Sequence, residues 1–340
     1  MTEQQRRPTV MDVAQAAGVS RALVSIVMRG APGAAESTRQ KVLEAARELG
    51  YRPDSRARLL RSSRTRLLGL SFFSAHAFHA EIVDAAYAAA TSRGYELALS
   101  AVAKGRPETR AIESLLDFGS AALILISPTL SAEELAGYAG QVPVVSLLRD
   151  DVGEPVDSVS SDDHAGIRMA VDHLTGIGHR RIVHIDGGTA VSAELRRAAF
   201  RAEMDRLGLP ARIIPGGPTE EDGLRALRSL RADLPSAVIA FNDRCALGVV
   251  EGLRADGLKV PDDVSVLGYD DSQFARLSYL QLSSVSQDAP LLAAAAVDRA
   301  IDRIEGTQAP AHVVSTPHLV VRKTSAPLRD DLRESVRLAP

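Results

Sequence analysis

The chain contains no tryptophan and a single cysteine, Cys245, among 340 residues. One thiol excludes an internal disulfide framework and fits a reducing compartment; among its neighbours it reads as a buried structural group. Aromatic residues make up only 4% of the sequence, and a pocket built on stacked indole rings is excluded. Nowhere do 18 uncharged apolar residues follow one another, and the opening MTEQQRRP is polar, with no apolar signal-peptide core. Neither membrane insertion nor export is expected, and the expected location is cytoplasmic. What remains is an ordinary soluble composition, 45% hydrophobic, long enough for two or three domains and free of internal repeats or low-complexity segments.

Residues 8–30, PTVMDVAQAAGVSRALVSIVMRG, carry the strongest local pattern. Thr9 caps a predicted helix whose first turn holds Asp12, and Val10, Val13, Ala14 and Ala17 fall on one of its faces. Gly18 ends that helix and Ser20 caps a second, in which Val24, Val27 and Met28 form the inner face while Arg21, Ala22, Ser25 and Arg29 look outward. A third helix is expected over about 37–49, with Val42, Ala45, Ala46 and Leu49 inward and Gly50 as its stop.

Two short helices joined by a glycine-containing turn form the helix-turn-helix pattern, whose second helix enters the DNA major groove. A small helical bundle without a nucleic-acid role imitates it. Charge separates the two readings: residues 1–66 hold 13 Lys+Arg against 6 Asp+Glu, whereas residues 67–340 hold 27 against 37. A basic head on an acidic body favours phosphate binding with counterion release. Arg21, at the first turn of the second helix, is the leading candidate for a bidentate contact to guanine, with Ala22 against a thymine methyl. A non-specific phosphate contact is the alternative for Arg21. Ser20, Ser25, Arg29 and Thr38 are expected at phosphates, and Thr9 is counted with them as a DNA-binding residue.

The head also resembles a known family, the LacI/GalR bacterial transcription repressors, and the resemblance extends over nearly the whole chain. Its matching positions are Thr9, Asp12-Val13-Ala14, Ala17-Gly18-Val19-Ser20, Val24-Ser25, Thr38-Arg39, Val42 and Leu49-Gly50-Tyr51 followed by Pro53. Departures are Leu23, usually Thr, Arg29, usually Asn, and Ala35, where a helix-capping Ser is common. They bear on phosphate contacts, not on the fold.

Residues 52–66, RPDSRARLLRSSRTR, are too short for a domain and dense in arginine. Pro53 and Asp54 can open a helix of about two turns, marginal in isolation at that length. The resemblance implies a hinge helix that folds on operator DNA, pairs with its twin in the dimer and pushes a leucine between minor-groove bases. By the motif Ala57-Arg58-x-Leu60 that leucine is Leu60, and Arg56, Arg58 and Arg61 supply charge for the flanking phosphates. A solvated flexible linker is the alternative, and alternation between the two states would transmit a signal.

From residue 67 short apolar runs, such as LLGLSFF, AALILIS, VPVVSLL, RIVHID, AVIAFN and VSVLGYD, alternate with longer helical stretches. Strands buried on both faces and alternating with helices predict an α/β architecture: two parallel sheets, each with helices on either side. Ligands of such sheets bind beyond the carboxyl ends of strands, which directs attention to residues 71–79, Asp162, Ser192 with Arg196, Asn242-Asp243, Asp270-Asp271 and Gln287. Converging on a cleft, these types offer the paired donors and acceptors that suit a polyhydroxylated ligand; singly, each is more often a cap or turn residue.

The segments DDHAGIRMAVDHLTGIGHRRIVHI, AVIAFNDRCALG, VPDDVSVLGYDD and LSSVSQD resemble the same family's effector domain, itself similar to periplasmic sugar-binding proteins. Position by position, the resemblance implies Phe78 and His79 as pocket-lining, Ser192 and Arg196 as ligand hydrogen bonders, Asn242 and Asp270 as hydroxyl-binding, and Gln287 at a crossover between lobes. Where sugar-binding members often carry an aromatic platform this chain has Pro218, leaving Phe78 or Tyr269 to supply a ring face. A sugar or sugar derivative is the expected effector. A phosphorylated or otherwise anionic one, resting on Arg196 and His79, is the rival.

Other readings are weaker. His76 and His79 with Glu81 match no specific zinc spacing. Asp186-Gly187-Gly188, without a dinucleotide or P-loop motif around it, reads as a strand-end turn at the cleft. The pairs Asp162-Asp163 and Asp270-Asp271 stand without a Ser/His or Cys/His set, so no catalytic constellation, metal or cofactor is expected. A helix over 293–304 has one apolar face that can also meet a twin.

The expected organisation is a helix-turn-helix domain at 1–51, a hinge at 52–66, a two-lobed effector domain at 67–328 and a charged tail at 329–340. Its lobes are expected at 67–158 with 289–318 and at 159–288 with 319–328. The expected protein is a homodimeric bacterial repressor, cytoplasmic and nucleoid-associated when bound to a palindromic operator, in which an effector changes the angle between the lobes and hence the spacing of the linkers. The rival class is a cytoplasmic solute-binding protein without a DNA role. Residues 1–66 and the polar N-terminus argue against it.

Overall fold

The computed structural model describes residues 8–28, 31–51 and 65–329, which belong to an N-terminal unit ending at Thr65 and a second beginning at Arg66. In the first, α1 (Val10–Ala17) opens on a capping box: the Asp12 N–H donates to the Thr9 hydroxyl, while the Thr9 N–H and hydroxyl donate to the Asp12 carboxylate at 2.6 and 2.7 Å. Gly18 closes the helix at φ +66°, left-handed backbone that is cheap without a Cβ. Ser20 then caps α2 (Arg21–Met28) by accepting from the Leu23 N–H, and the two helices are bent by 103°. α3 (Glu36–Glu48) begins at Ala35 with no side-chain cap.

Val13, Ala14, Val24, Val27, Val42, Ala45 and Ala46 form the core of this unit. Leu49, expected inward, is 38% exposed. It falls at the C-cap of α3, and Gly50 at φ +64° reverses the chain so that Tyr51 packs on the core instead.

The second unit follows the predicted alternation. Its first lobe contains β1 (Leu67–Phe73), β2 (Glu96–Val102), β3 (Ala122–Ile126), β4 (Val144–Leu147), β5 (Asp157–Ser161) and β11 (His312–Ser315), all parallel in the order β11-β5-β4-β3-β1-β2. The second lobe contains β6 (Ile182–Ile185), β7 (Arg212–Ile214), β8 (Ala237–Ala240), β9 (Ser265–Asp270), β10 (Ser283–Ser286) and β12 (His318–Val320), in the order β12-β10-β9-β8-β6-β7. Only β12 runs antiparallel to its neighbour.

Each central strand is apolar on both faces because each sheet is covered twice. Ile124 and Ile126 of β3 face α4 (Ala77–Ser92) and the alanine-rich α11 (Ala289–Glu305), while Leu123 and Leu125 face α5 (Glu108–Asp117) and α6 (Ala132–Ala139). In the second lobe α7 (Asp163–Gly176) and α8 (Ala193–Arg206) cover one face, and α9 (Glu220–Leu230) and α10 (Asp243–Ala255) the other. No single described helix is long and apolar enough to cross a membrane.

The chain crosses between lobes three times, after Ser161, after Ser286 and after Ser315. The lobe bounds expected at 158/159 and 318/319 shift. β5 continues past residue 158 because Val159, Ser160 and Ser161 still pair with β11, and His318, assigned to the first lobe, pairs with Ser286 in the second.

Candidate effector cleft and DNA-reading surface

Within the second unit the carboxyl ends of strands from both lobes surround a cleft of about 520 Å³. Phe78, His79, Ser192, Arg196, Asn242, Asp270 and Gln287, the seven residues carried over from the resemblance, all line it.

The first lobe supplies a neutral wall. His79, in the first turn of α4, is buried, and its Nδ1 accepts the Phe73 N–H at 3.2 Å, which leaves the ring proton on Nε2, 3.4 Å from the Ser127 hydroxyl. Burial, and then the neighbouring His76, push its pKa down to about 3. His76 stacks on it with ring centroids 4.8 Å apart, and burial followed by the Arg244 charge lowers the His76 pKa too. Two rings stacked face to face do not converge on a metal position. Phe78 joins the lobe's core while also lining the cleft.

The second lobe supplies an ionic wall. Arg196 on α8 is 4% exposed; its Nε donates to Asp163 at 2.7 Å and its Nη1 to the Phe241 carbonyl at 2.6 Å. Its guanidinium carbon lies 3.6 Å from the Tyr269 ring centroid and 4.8 Å from that of Phe241. Burial pulls its pKa down, but Asp163, Tyr269 and Asp270 together outweigh that and hold it above the usual arginine range. Asp270 ends β9 at φ 103°, a costly backbone for a side chain other than glycine, and accepts from the Gln287 amide at 2.7 Å. Burial raises its pKa against the opposing pull of Arg196.

Behind it Asp243 accepts from the Ser272 N–H and hydroxyl and from the Ser284 hydroxyl; burial and then the Asp270 charge raise its pKa. Asn242 is partly committed: its Oδ1 caps α10 through the Cys245 N–H at 2.8 Å, and its Nδ2 donates to the Pro218 carbonyl at 3.2 Å. One amide hydrogen remains for a ligand. Ser192 opens α8 at φ 65° without a side-chain cap bond. Cys245 is buried, its thiol pushed up by burial to about 12, in keeping with an inert structural role.

Among the described residues side-chain contacts bridge the lobes, that of Arg244 at the cleft. Arg244 on α10 donates to the Ala75 carbonyl at 2.6 Å while pairing with Glu220, and Glu81 on α4 accepts from the Gln273 N–H and pairs with Arg276. Neither bridge was anticipated from sequence, since nothing local marks which exposed arginine meets the opposite lobe.

Tyr269, offered as a ring face for a ligand, is instead wholly buried beneath Arg196 and does not line the cleft. Gly166 makes room for it, because a Cβ there would stand 2.3 Å from the Tyr269 hydroxyl. The phenyl rings that do line the cleft, besides Phe78, are Phe73 and Phe241, each just beyond or at a strand's carboxyl end, a signal present in the sequence. Phe241 rests on Gly187, where a Cβ would come within 2.4 Å of it. Asp186 holds the adjoining turn by accepting from the Gly188 and Gly216 N–H groups at 3.0 and 2.9 Å, and Pro218 lines the cleft where an aromatic platform is common.

In the head, Arg21 and Ala22 are exposed on the first turn of α2, Ser20 is exposed beside them, and Ser25 and Thr38 are half-buried. Thr9, counted with the DNA contacts, donates its hydroxyl proton to Asp12 and is occupied with its own helix cap. Arg39, not singled out as a contact, donates to the Val27 and Ala31 carbonyls and so braces the end of α2. Arg29, Arg56, Arg58 and Leu60 lie outside the described residues.

Residues 9–54 match the family model for bacterial regulatory proteins of the lacI family, and residues 171–325 match the periplasmic binding protein-like domain. The HTH-type transcriptional regulator CelR of Thermobifida fusca is 33% identical, over 95% of this chain and 99% of its own. Among solved structures, the lac repressor dimer bound to operator and the anti-inducer ONPF superposes with a TM-score of 0.82 at 29% identity, covering 94% of this chain and 100% of that one. A CelR–cellobiose complex gives 0.69 at 31% identity, with the same coverage. The chain belongs to the LacI family of bacterial transcriptional regulators.

Proposed function

We propose that the protein is a homodimeric transcriptional repressor, not an enzyme, that reads a palindromic operator through its heads and is governed by a sugar-class effector in the interlobe cleft. The observation that carries this reading is the convergence of seven strand-end residues on one cleft in a chain whose head exposes Arg21 and Ala22 on a capped second helix. The operator-bound dimer and the cellobiose complex among its relatives support the same assignment. Effector binding changes the angle between the lobes, which share three crossings, and thereby the spacing of the segments that lead to the heads.

Arg21→Ala tests the reading head. It should cost about 1–3 kcal/mol on operator and much less on scrambled DNA; an equal loss on both would show a phosphate contact. The control arm is tested by titrating sugars against operator affinity. An affinity unmoved by every ligand that binds the second unit contradicts it.

A further inference from the structure

Among the described residues, each cation that lines the cleft already has an anion of its own. Arg196 is held by Asp163 and the Phe241 carbonyl, and Arg244 by Glu220 and the Ala75 carbonyl. Asp222 and Asp270 line the same space, Asp222 paired with Arg225 and Asp270 accepting from the Gln287 amide, so neither draws an anion in. The histidine pair adds no positive charge, because Nδ1 of His79 is used as an acceptor for a backbone N–H and the ring is buried against His76. A phosphate or carboxylate entering here would lose water, meet no unshared cation among the described residues and stand beside the carboxyl groups of Asp222 and Asp270, which is the unfavourable case for burying charge.

Hydroxyl groups meet the opposite situation. On the second wall Asp270 keeps a carboxyl oxygen beyond the one that takes the Gln287 amide and Asn242 keeps one amide hydrogen, while on the first the Ser127 hydroxyl beside His79 lines the cleft, so a ligand that both gives and takes hydrogen bonds is served from both sides. The anionic effector that Arg196 and His79 suggest in the sequence therefore finds neither residue available. We infer that the cleft takes an uncharged polyhydroxylated ligand and excludes its phosphorylated and carboxylated counterparts, an inference that rests on the cleft being the effector site.

Calorimetric titration of the full chain with inorganic phosphate and with matched sets of hexoses and disaccharides, their phosphates and the corresponding sugar acids tests it. Inorganic phosphate should give no saturable heat, and each charged compound should bind at least about tenfold more weakly than its uncharged parent. In parallel, the imidazole nitrogen shifts of His79 should keep the neutral Nε2–H form from about pH 8 to about pH 5. A charged compound binding within about tenfold of its parent or more tightly overturns the inference, as does saturable phosphate binding lost in Arg244→Gln, or protonation of His79 in that range. If no carbohydrate of either kind binds while phosphate is refused and His79 stays neutral, the exclusion stands and the sugar-class reading of the cleft fails.

Discussion

The two walls of the cleft are held in place by different physics. On the first lobe the lining rings Phe73, His76, Phe78 and His79 continue directly from a strand into α4 and are positioned by burial and by one backbone hydrogen bond to a ring nitrogen. On the second lobe, beside Phe241 and Pro218, the charged and amide groups that line the cleft are fixed by partners from other elements: Asp163 for Arg196, Gln287 for Asp270, Pro218 for Asn242. A packed wall tolerates the loss of one contact in proportion to its area, whereas a buried charge left without its partner is penalised out of proportion. The ionic wall should therefore be the fragile one.

That contrast is broken most directly at Asp163. Asp163→Ala leaves the buried Arg196 charge uncompensated and should destabilise the second unit by about 3–5 kcal/mol in urea unfolding. Adding Arg196→Met to it should recover much of that loss; a double variant as unstable as the sum of the singles would mean that packing, not charge, holds this wall. Next in size is Gly187→Ala, whose Cβ displaces the Phe241 ring that lies over Arg196, expected at about 1–3 kcal/mol together with weakened effector binding.

The first wall is probed by pH. His79 titrates near 6.5 when unfolded and far lower when folded, so between those values the unfolded chain binds the extra proton and stability rises with pH. Acidification from about pH 7 to about pH 4 should narrow the advantage of the wild type over His79→Gln, by at most about 1.4 kcal/mol per pH unit. The raised Asp243 and Asp270 act with the opposite sign, but in both proteins, and leave the difference to His79. A gap that does not change with pH would remove the neutral wall. The smallest effect belongs to the bridge between the walls: Glu81→Gln should cost about 0–1 kcal/mol, less at high salt, because its partner Arg276 is half exposed.

Much of this was legible in the sequence. The capping residues Thr9 and Ser20, the stop at Gly18 and the alternation of strand and helix are local signals, and the structure realises them where local chemistry alone decides. Leu49 was misread because its helical phase points inward, but it lies at the last turn, where the reversal at Gly50 outweighs periodicity. Tyr269 and Phe241 both end apolar runs at a strand's cleft-facing end. Which ring is buried and which lines the cleft depends on Gly166 and Gly187, distant in sequence and informative only once the helices and strands are packed. The lobe boundaries shifted for a similar reason, since β5 is prolonged by β11, a partner 154 residues away at Ser158 and His312.

That distant pairing has a consequence for the order in which the molecule is made. The first lobe begins the second unit at residue 67, yet its sheet lacks an edge strand until residues 312–315 have been synthesised. By then five of the six strands of the second lobe, β6 to β10, have already been synthesised. The lobe that starts first finishes after its neighbour is nearly complete, and a chain ending at residue 305 would lack an edge strand in both sheets at once.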